Sequence, residues 1–173
     1  RQHHKLPEKS EQLILNYYTH IDRNKVSFDY IVHGEEIGGL EQLMYELGSN
    51  VYHVTPKKRS FIKNFMEINK VIKEGRYDIV HCHQDYSNFF TLLLAKLNSV
   101  PVRISHAHSN FKSDKWTRII RNGLLRLLNK RLANYNFACS RDAGRWLHGK
   151  YWEPNGSTSI IMKNAIDINQ FEF

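Results

Sequence analysis

The strongest constraint on this chain is the order of its apolar segments. Short β-branched runs alternate with stretches whose apolar residues recur at helical spacing. "VSFDYIVH", "NVYHV", "YDIVHCH", "PVRISH", "YNFACS" and "SIIM" read as strands. Between them lie helical patterns. One starts at a Ser10 cap and runs to about Ile21, with Leu13, Ile14, Tyr17, Tyr18 and Ile21 on one face. A short one holds Leu40, Leu43, Met44 and Leu47 and stops at Gly48. Ser60 caps a third, with Phe61, Ile62, Phe65, Met66, Asn69 and Ile72 in phase. Asp85 caps a fourth, carrying Phe89, Leu92, Leu93 and Leu97. A long one covers about Lys115–Ala133, and Ser140 caps the last, through Trp146.

Strict strand–helix alternation is the pattern of right-handed βαβ units. Near-continuous apolar strands suit a parallel sheet covered on both faces. The predicted fold is therefore α/β: a doubly wound parallel sheet in a single Rossmann-like domain over 1–173. Ligands of such sheets sit at the carboxyl ends of the strands. A first strand and a Gly-rich turn are expected before the first helix, yet "RQHHKLPEKS" is polar and holds a proline. The first strand is thus expected to be missing.

Composition narrows the function. The chain has 173 residues and a net charge of +8, which suits a polyanion, an anionic membrane face or a phosphorylated substrate. Cys82 and Cys139 sit in strand-like runs, which predicts a reducing compartment and small buried hydrophobes rather than disulfides or nucleophiles. No stretch is long and apolar enough to span a bilayer, and the opening residues do not read as a secretory leader. A non-catalytic nucleic-acid-binding or small-molecule-binding Rossmann-like module is the alternative function. The first would show aromatic and basic residues interleaved on a sheet face, and a dinucleotide-binding domain would show G-x-G-x-x-G; neither pattern is present.

Two strands end in His-x-His: His81 and His83, then His106 and His108. Residues i and i+2 share a face of a strand. Each pair could chelate one metal, and four imidazoles beside a thiolate make zinc thinkable. Against this, no further ligand lies at fixed local spacing, and Cys82 alternates to the opposite face. Three readings stand on the residues alone: a metal site, structural histidines, and imidazoles that contact substrate.

The order of "YDIVHCH", "VPVRISHAHSN", "FACSRDAGRWLHGK" and "IIMKNAIDINQF" resembles bacterial retaining glycosyltransferases of family 4, in the branch that builds capsular and exopolysaccharide. "SEQLILNYYTHIDRNKVSFDYIVHGEE" is similar to the same branch. The resemblance implies a GT-B architecture, with two Rossmann-like domains facing a cleft. This chain would be the N-terminal, acceptor-binding half, inactive without its donor-binding domain. It implies a nucleotide-sugar as co-substrate, no metal, no other cofactor, and a glycan or lipid-linked acceptor. His106 and His108 become candidates for contact with the transferred sugar. His81, His83, Asn110 and Ser140 become candidates for the acceptor side, Ser140 keeping its alternative as a helix cap. Asp167 would fix the linker to the second domain.

In place of the family's Gly-Gly-Ala-Glu, this chain has Glu8-Lys9-Ser10-Glu11. Two glycines that would let backbone approach phosphate are lost, leaving Lys9 to meet the donor phosphate and Glu8 to repel it.

"KWTRIIRNGLLRLLNKRLA" is basic and amphipathic, with six cations and no acid. Trp116, Ile119, Ile120, Leu124, Leu127 and Leu128 form one stripe. Lys115, Arg118, Arg121, Arg126 and Lys130 occupy the other side, and Arg131 falls among the apolar residues with its stem packed. Two readings remain: a helix facing anionic lipid, and an ordinary sheet-covering helix. The resemblance favours the first, and with it a cytoplasmic protein attached to the inner face of the membrane. No nucleic-acid partner is expected.

Overall fold

The computed structural model describes residues 9–109 and 116–164, without the side chains of residues 9–13 and of Arg118. The elements are α1 (Lys9–Tyr18), β1 (Tyr30–His33), α2 (Glu41–Glu46), β2 (Val51–Val54), α3 (Phe61–Gly75), β3 (Ile79–Cys82), α4 (Asn88–Leu97), β4 (Val102–Ala107), α5 (Trp116–Leu132), β5 (Tyr135–Ala138), α6 (Arg141–His148) and β6 (Ser159–Ile161). A single 3₁₀ turn, Asp85–Ser87, precedes α4. The alternation read from the sequence is present, and every strand pair is parallel.

The strands form two hydrogen-bonded sets rather than one continuous sheet. β1 pairs with β2, and β3-β4-β5-β6 make a four-stranded sheet in that order. The chain divides accordingly into two compact units, the boundary falling inside α3 after Ile68. Residues 1–8, where the missing first strand was expected, lie outside the described part.

In the first unit, Leu15, Tyr30 and Met44 form the core with Ile14, Phe28, Leu40, Leu47 and Val51 around them. Tyr18 stacks on Phe28 with ring centroids 4.6 Å apart. Gly48 ends α2 with φ +85°, a conformation that side chains with a Cβ disfavour. The carboxylate of buried Glu41 accepts from His53 Nε2 and from the Gly38 N–H. The buried stripe of α3 corrects the expected one. Asn64, Ile68 and Ile72 are buried, whereas Phe61, Ile62 and Met66 are exposed. Asn64 wins its place by hydrogen bonding: its Nδ2 donates to the Thr55 carbonyl at 2.7 Å and to His33 Nδ1 at 3.1 Å.

In the second unit, the order β3-β4-β5-β6 advances in one direction, so right-handed crossovers put α4, α5 and α6 on one face. Register assigns the faces. Cys82 pairs with Ser105, and Ala107 with Ala138. Cys82 packs with Leu92 of α4 and Leu132 of α5, and Ala107 and Ala138 pack with Ala143 and Leu147 of α6. His81, Ile104, His106 and Phe137 alternate to the other face. Cys82 thus belongs to the core, as its alternation predicted, and both cysteines are free thiols.

Helix α5 also departs from expectation. Its inward side carries Leu128, Asn129 and Leu132. Trp116, Ile119, Ile120, Leu124 and Leu127 are exposed, so most of the predicted stripe faces away from the sheet. Arg126 is half-buried: its Nη2 donates to the Tyr86 hydroxyl at 3.3 Å, and its guanidinium lies 6.0 Å from that ring's centroid. It is therefore removed from the outward cationic set. Arg131 is exposed rather than packed, and Arg121 and Lys130 are exposed as expected.

The α6 contact leaves no room for an added methyl. A Cβ on Gly144 would fall 2.1 Å from the Trp152 ring. Trp152 is itself buried with Leu147 and Ala143. Gly144→Ala is expected to destabilise the chain by about 1–3 kcal/mol. Urea denaturation measures this, and an unchanged midpoint would show that the Trp152 packing is wrong.

Candidate functional site

The four histidines named from the sequence converge. β3 and β4 are adjacent and parallel, with His81 opposite Ile104 and Cys82 opposite Ser105. This register brings His81, His83, His106 and His108 side by side at the carboxyl ends of the two strands. His81 Nε2 lies 3.1 Å from His106 Nδ1, and His83 Nδ1 lies 2.7 Å from His108 Nε2. Ring centroids are 4.1 Å apart for His81 and His83, and 4.1 Å for His106 and His108. The Phe137 ring stands edge-on to His81 and His106. His106 is fully buried, and its Nε2 has no hydrogen-bond partner among the described residues.

The imidazoles are uncharged at neutral pH. Burial is the main cause in each case, because it disfavours the protonated form. Burial, with the nearby rings of His106 and His108, pushes His81 down to about 3. Burial and the other rings push His106 to about 2 and hold His83 well below its ordinary value. His108 is also lowered by burial, and the Asp85 carboxylate offsets part of that. A neutral ring offers one N–H and one lone pair. Each close His–His pair can therefore be joined by one N–H donating to one lone pair, the tautomers setting the direction.

A second layer of side chains holds the strand ends. Asp85 was expected to cap α4. It stands instead in the 3₁₀ turn with φ +50°, and its carboxylate accepts from the His108 N–H at 3.1 Å and the Ser109 hydroxyl at 2.8 Å. Buried Asn88 accepts from the Gln84 N–H at 2.6 Å. Its amide donates to Ser105 Oγ at 3.0 Å and to the His106 carbonyl at 3.3 Å. Buried Asn129, on α5, donates to the carbonyls of Asp85 and Tyr86. These three residues were missed as site residues. Asp85 reads from the sequence only as a helix cap, and Asn129 lies outside the apolar stripe read for its helix, so neither carried a site signal. Asn88 stands one turn before Leu92 on the same side of α4.

The remaining candidates are scattered in status. Ser140 caps α6, its Oγ accepting from the Ala143 N–H at 3.2 Å. Cys139 is half-buried, with Sγ 3.5 Å from the His108 carbonyl. Asn110 and Lys115 lie outside the described residues, as does Asp167, and the side chains of Lys9 and Arg118 are likewise outside. Among the described residues, no helix is long and apolar enough to cross a membrane.

Chemically, the strand ends hold a compact, neutral, nitrogen-rich cluster, with His106 fully buried and His81, His83 and His108 half-buried. It can give and take hydrogen bonds, as sugar hydroxyls require, without placing fixed charge there. The nitrogens of His81, His83 and His106 lie within 4.8 Å of one another, so they could also hold a metal ion.

A family profile described as Glycosyltransferase Family 4 matches residues 10–170. A protein of Bacillus subtilis (strain 168) bearing the name "Putative glycosyltransferase EpsF" is 29% identical over 169 residues, covering 94% of this chain and 43% of its own length. The crystal structure of Anabaena HepE in complex with UDP and glucose shares the fold, with a TM-score of 0.63 at 15% identity, over 98% of this chain and 44% of that one. The HepE complex with UDP gives a TM-score of 0.55 at 14% identity, over 82% and 38%. The chain thus spans less than half the length of each of these proteins.

Burial of neutral imidazoles makes stability depend on pH. Above about pH 6.5 the rings are uncharged in both folded and unfolded chains. As pH falls below that, the unfolded chain takes up protons that the folded one refuses. Stability contributed by neutral burial is therefore lost on acidification, by up to roughly 1.4 kcal/mol per pH unit for a ring such as His106. Urea midpoints in metal-free buffer are expected to fall between about pH 7.5 and 5.5, and less steeply in His106→Gln. A flat profile would contradict the burial of these rings.

Proposed function

Because the chain belongs to Glycosyltransferase Family 4, which matches residues 10–170, we propose that it is the N-terminal, acceptor-binding domain of a retaining GT-B glycosyltransferase. The enzyme transfers a sugar from a nucleotide-sugar to a lipid-linked or polysaccharide acceptor in building exopolysaccharide or capsule. The donor-binding half lies outside residues 1–173. The observation that carries this reading is the pairing of two His-x-His elements at neighbouring parallel strand ends. UDP and glucose in the HepE complex support a nucleotide-sugar as donor.

Transfer builds positive charge on the sugar ring and negative charge on the departing diphosphate. The protein must hold the acceptor hydroxyl close to the anomeric carbon and avoid opposing the positive charge. Uncharged imidazoles meet both needs. His106 and His108 hydrogen-bond the transferred sugar, and their depressed pKa values keep them from repelling it. His81 and His83 line the acceptor side with Asn110 and Ser140, and Lys9 meets the donor phosphate. Asp85 and Asn88 set where the imidazoles stand. The nucleotide-sugar is co-substrate, and transfer takes no resident metal or organic cofactor.

In the full-length enzyme, His106→Ala is expected to lower transfer by about 10²–10³-fold, with the fold checked by circular dichroism. Activity near the unaltered level would sink the role given to His106. Residues 1–173 alone are expected to give no turnover, and transfer by them would overturn the half-enzyme reading.

The exposed side of α5 supports attachment to the inner membrane face. Trp116, Ile119, Ile120, Leu124 and Leu127 are apolar and exposed, and Arg121 and Lys130 flank them. Such a helix lies in the bilayer interface and adheres to anionic headgroups. Each cation near the surface contributes about 1 kcal/mol. Arg121→Glu with Lys130→Glu is expected to weaken binding to phosphatidylglycerol-containing vesicles by at least about tenfold, and Leu124→Asp to weaken it further. Sedimentation with anionic and with neutral vesicles measures both. Equal binding to the two kinds of vesicle, or no binding, would remove the membrane from the proposal.

A further inference from the structure

We propose that the imidazoles of His81, His83 and His106 form a binding site for one divalent transition-metal ion of the zinc, cobalt or nickel class. Nothing in the transfer reaction calls for this ion. The site rests on geometry. One nitrogen from each of the three residues lies within 4.8 Å of the others. Three nitrogens bound at about 2.0–2.1 Å around a tetrahedral ion stand roughly 3.4 Å apart, so the cluster must close by up to about 1.4 Å at its widest. His106 Nε2 is buried and has no hydrogen-bond partner among the described residues.

The chemistry selects the ion. Neutral nitrogen ligands suit zinc, cobalt, nickel and copper, and they suit calcium and magnesium poorly, because those ions want oxygen. Imidazole must be neutral to ligate, and burial keeps these rings neutral well below pH 7. No proton need leave the protein. On binding, the 3.1 Å contact between His81 Nε2 and His106 Nδ1 opens, and each ring turns a lone pair to the ion.

His108 serves as the supporting layer. Its Nε2 sits 2.7 Å from His83 Nδ1, which fixes the orientation of the His83 ring and spares that ring's Nε2. His108 is held in turn by its backbone N–H on Asp85. Cys82 takes no part, since it points into the core between β3 and α4.

An ion here occupies rings that, on the reading above, face the transferred sugar (His106) and the acceptor (His81 and His83). It therefore acts as an inhibitor of transfer. That consequence rests on the proposed function, whereas binding itself does not.

The test uses tag-free chain and cobalt(II), whose visible absorption reports nitrogen ligation, followed by displacement with zinc. One ion per chain is expected. His81→Ala and His106→Ala should each weaken cobalt binding by at least about tenfold. The control is His3→Ala with His4→Ala, which removes the two histidines consecutive in sequence and should leave binding unchanged. Retained affinity in both single variants, or its loss in the control, overturns the site. If the single variants do not fold, ring-nitrogen NMR of the unaltered chain gives the same answer. Zinc must shift His81, His83 and His106; shifts confined to His3 and His4 overturn the proposal. In the full-length enzyme, zinc that binds without inhibiting would refute the sugar-facing role and leave the metal site standing.

Discussion

The register between β3 and β4 is the constraint on which the candidate site depends. Parallel pairing sets His81 opposite Ile104 and Cys82 opposite Ser105. Because side chains alternate with period two, that single choice decides everything nearby. It sends Cys82, Ser105 and Ala107 to the helices and sends His81, His83 and His106 together to the opposite face. A slip by one residue would exchange the faces of the strand that slips. Two of the four imidazoles would then meet the helices, and a cysteine or small residues would take their place at that strand's end. The core provides the restoring force. Cys82 with Leu92 and Leu132, and Ala107 with Ala138 and Leu147, are packed contacts that a slipped register loses.

Polar burial then refines what apolar burial begins. Asn88 ties the Gln84 backbone to Ser105 and His106, and Asn129 reaches the turn from α5. Each is fully buried and would cost stability if left unpaired. Hydrogen bonding makes these positions tolerable, and in return it fixes the connection after β3. Asp85 adds a further tie by accepting from the His108 N–H and the Ser109 hydroxyl. The imidazoles are thus held from the backbone side. That matters for rings whose lone pairs must point at a sugar or an ion.

The sequence made much of the fold legible, and its failures have a common cause. Strand–helix alternation foretold parallel strands and both His-x-His positions at strand ends, and the alternation around Cys82 foretold its face. Helical periodicity was less dependable for choosing which side of a helix is buried. In α3 the apolar residues Phe61, Ile62 and Met66 are exposed while Asn64 is buried. In α5 the largest apolar residues are exposed, and Asn129 is buried beside Leu128 and Leu132. Hydrophobic pattern counts residues and cannot see a hydrogen-bond partner waiting on the sheet. The division into two sheets was equally hidden, because periodicity identifies strands and not their neighbours.

By itself, the sequence determined the kind of elements, their order, the direction of the strands and which residues share a strand face, because these follow from local periodicity and from the handedness of βαβ connections. It also carried the family, since four motifs stand in one order along the chain. The tertiary structure decided that His81 meets His106 and that His83 meets His108, that Asp85 turns to the β4 end, and that Arg126 folds onto Tyr86. Those outcomes depend on contacts between residues about 20 to 40 positions apart. Such contacts form only when packing has fixed the register, and no local pattern encodes them.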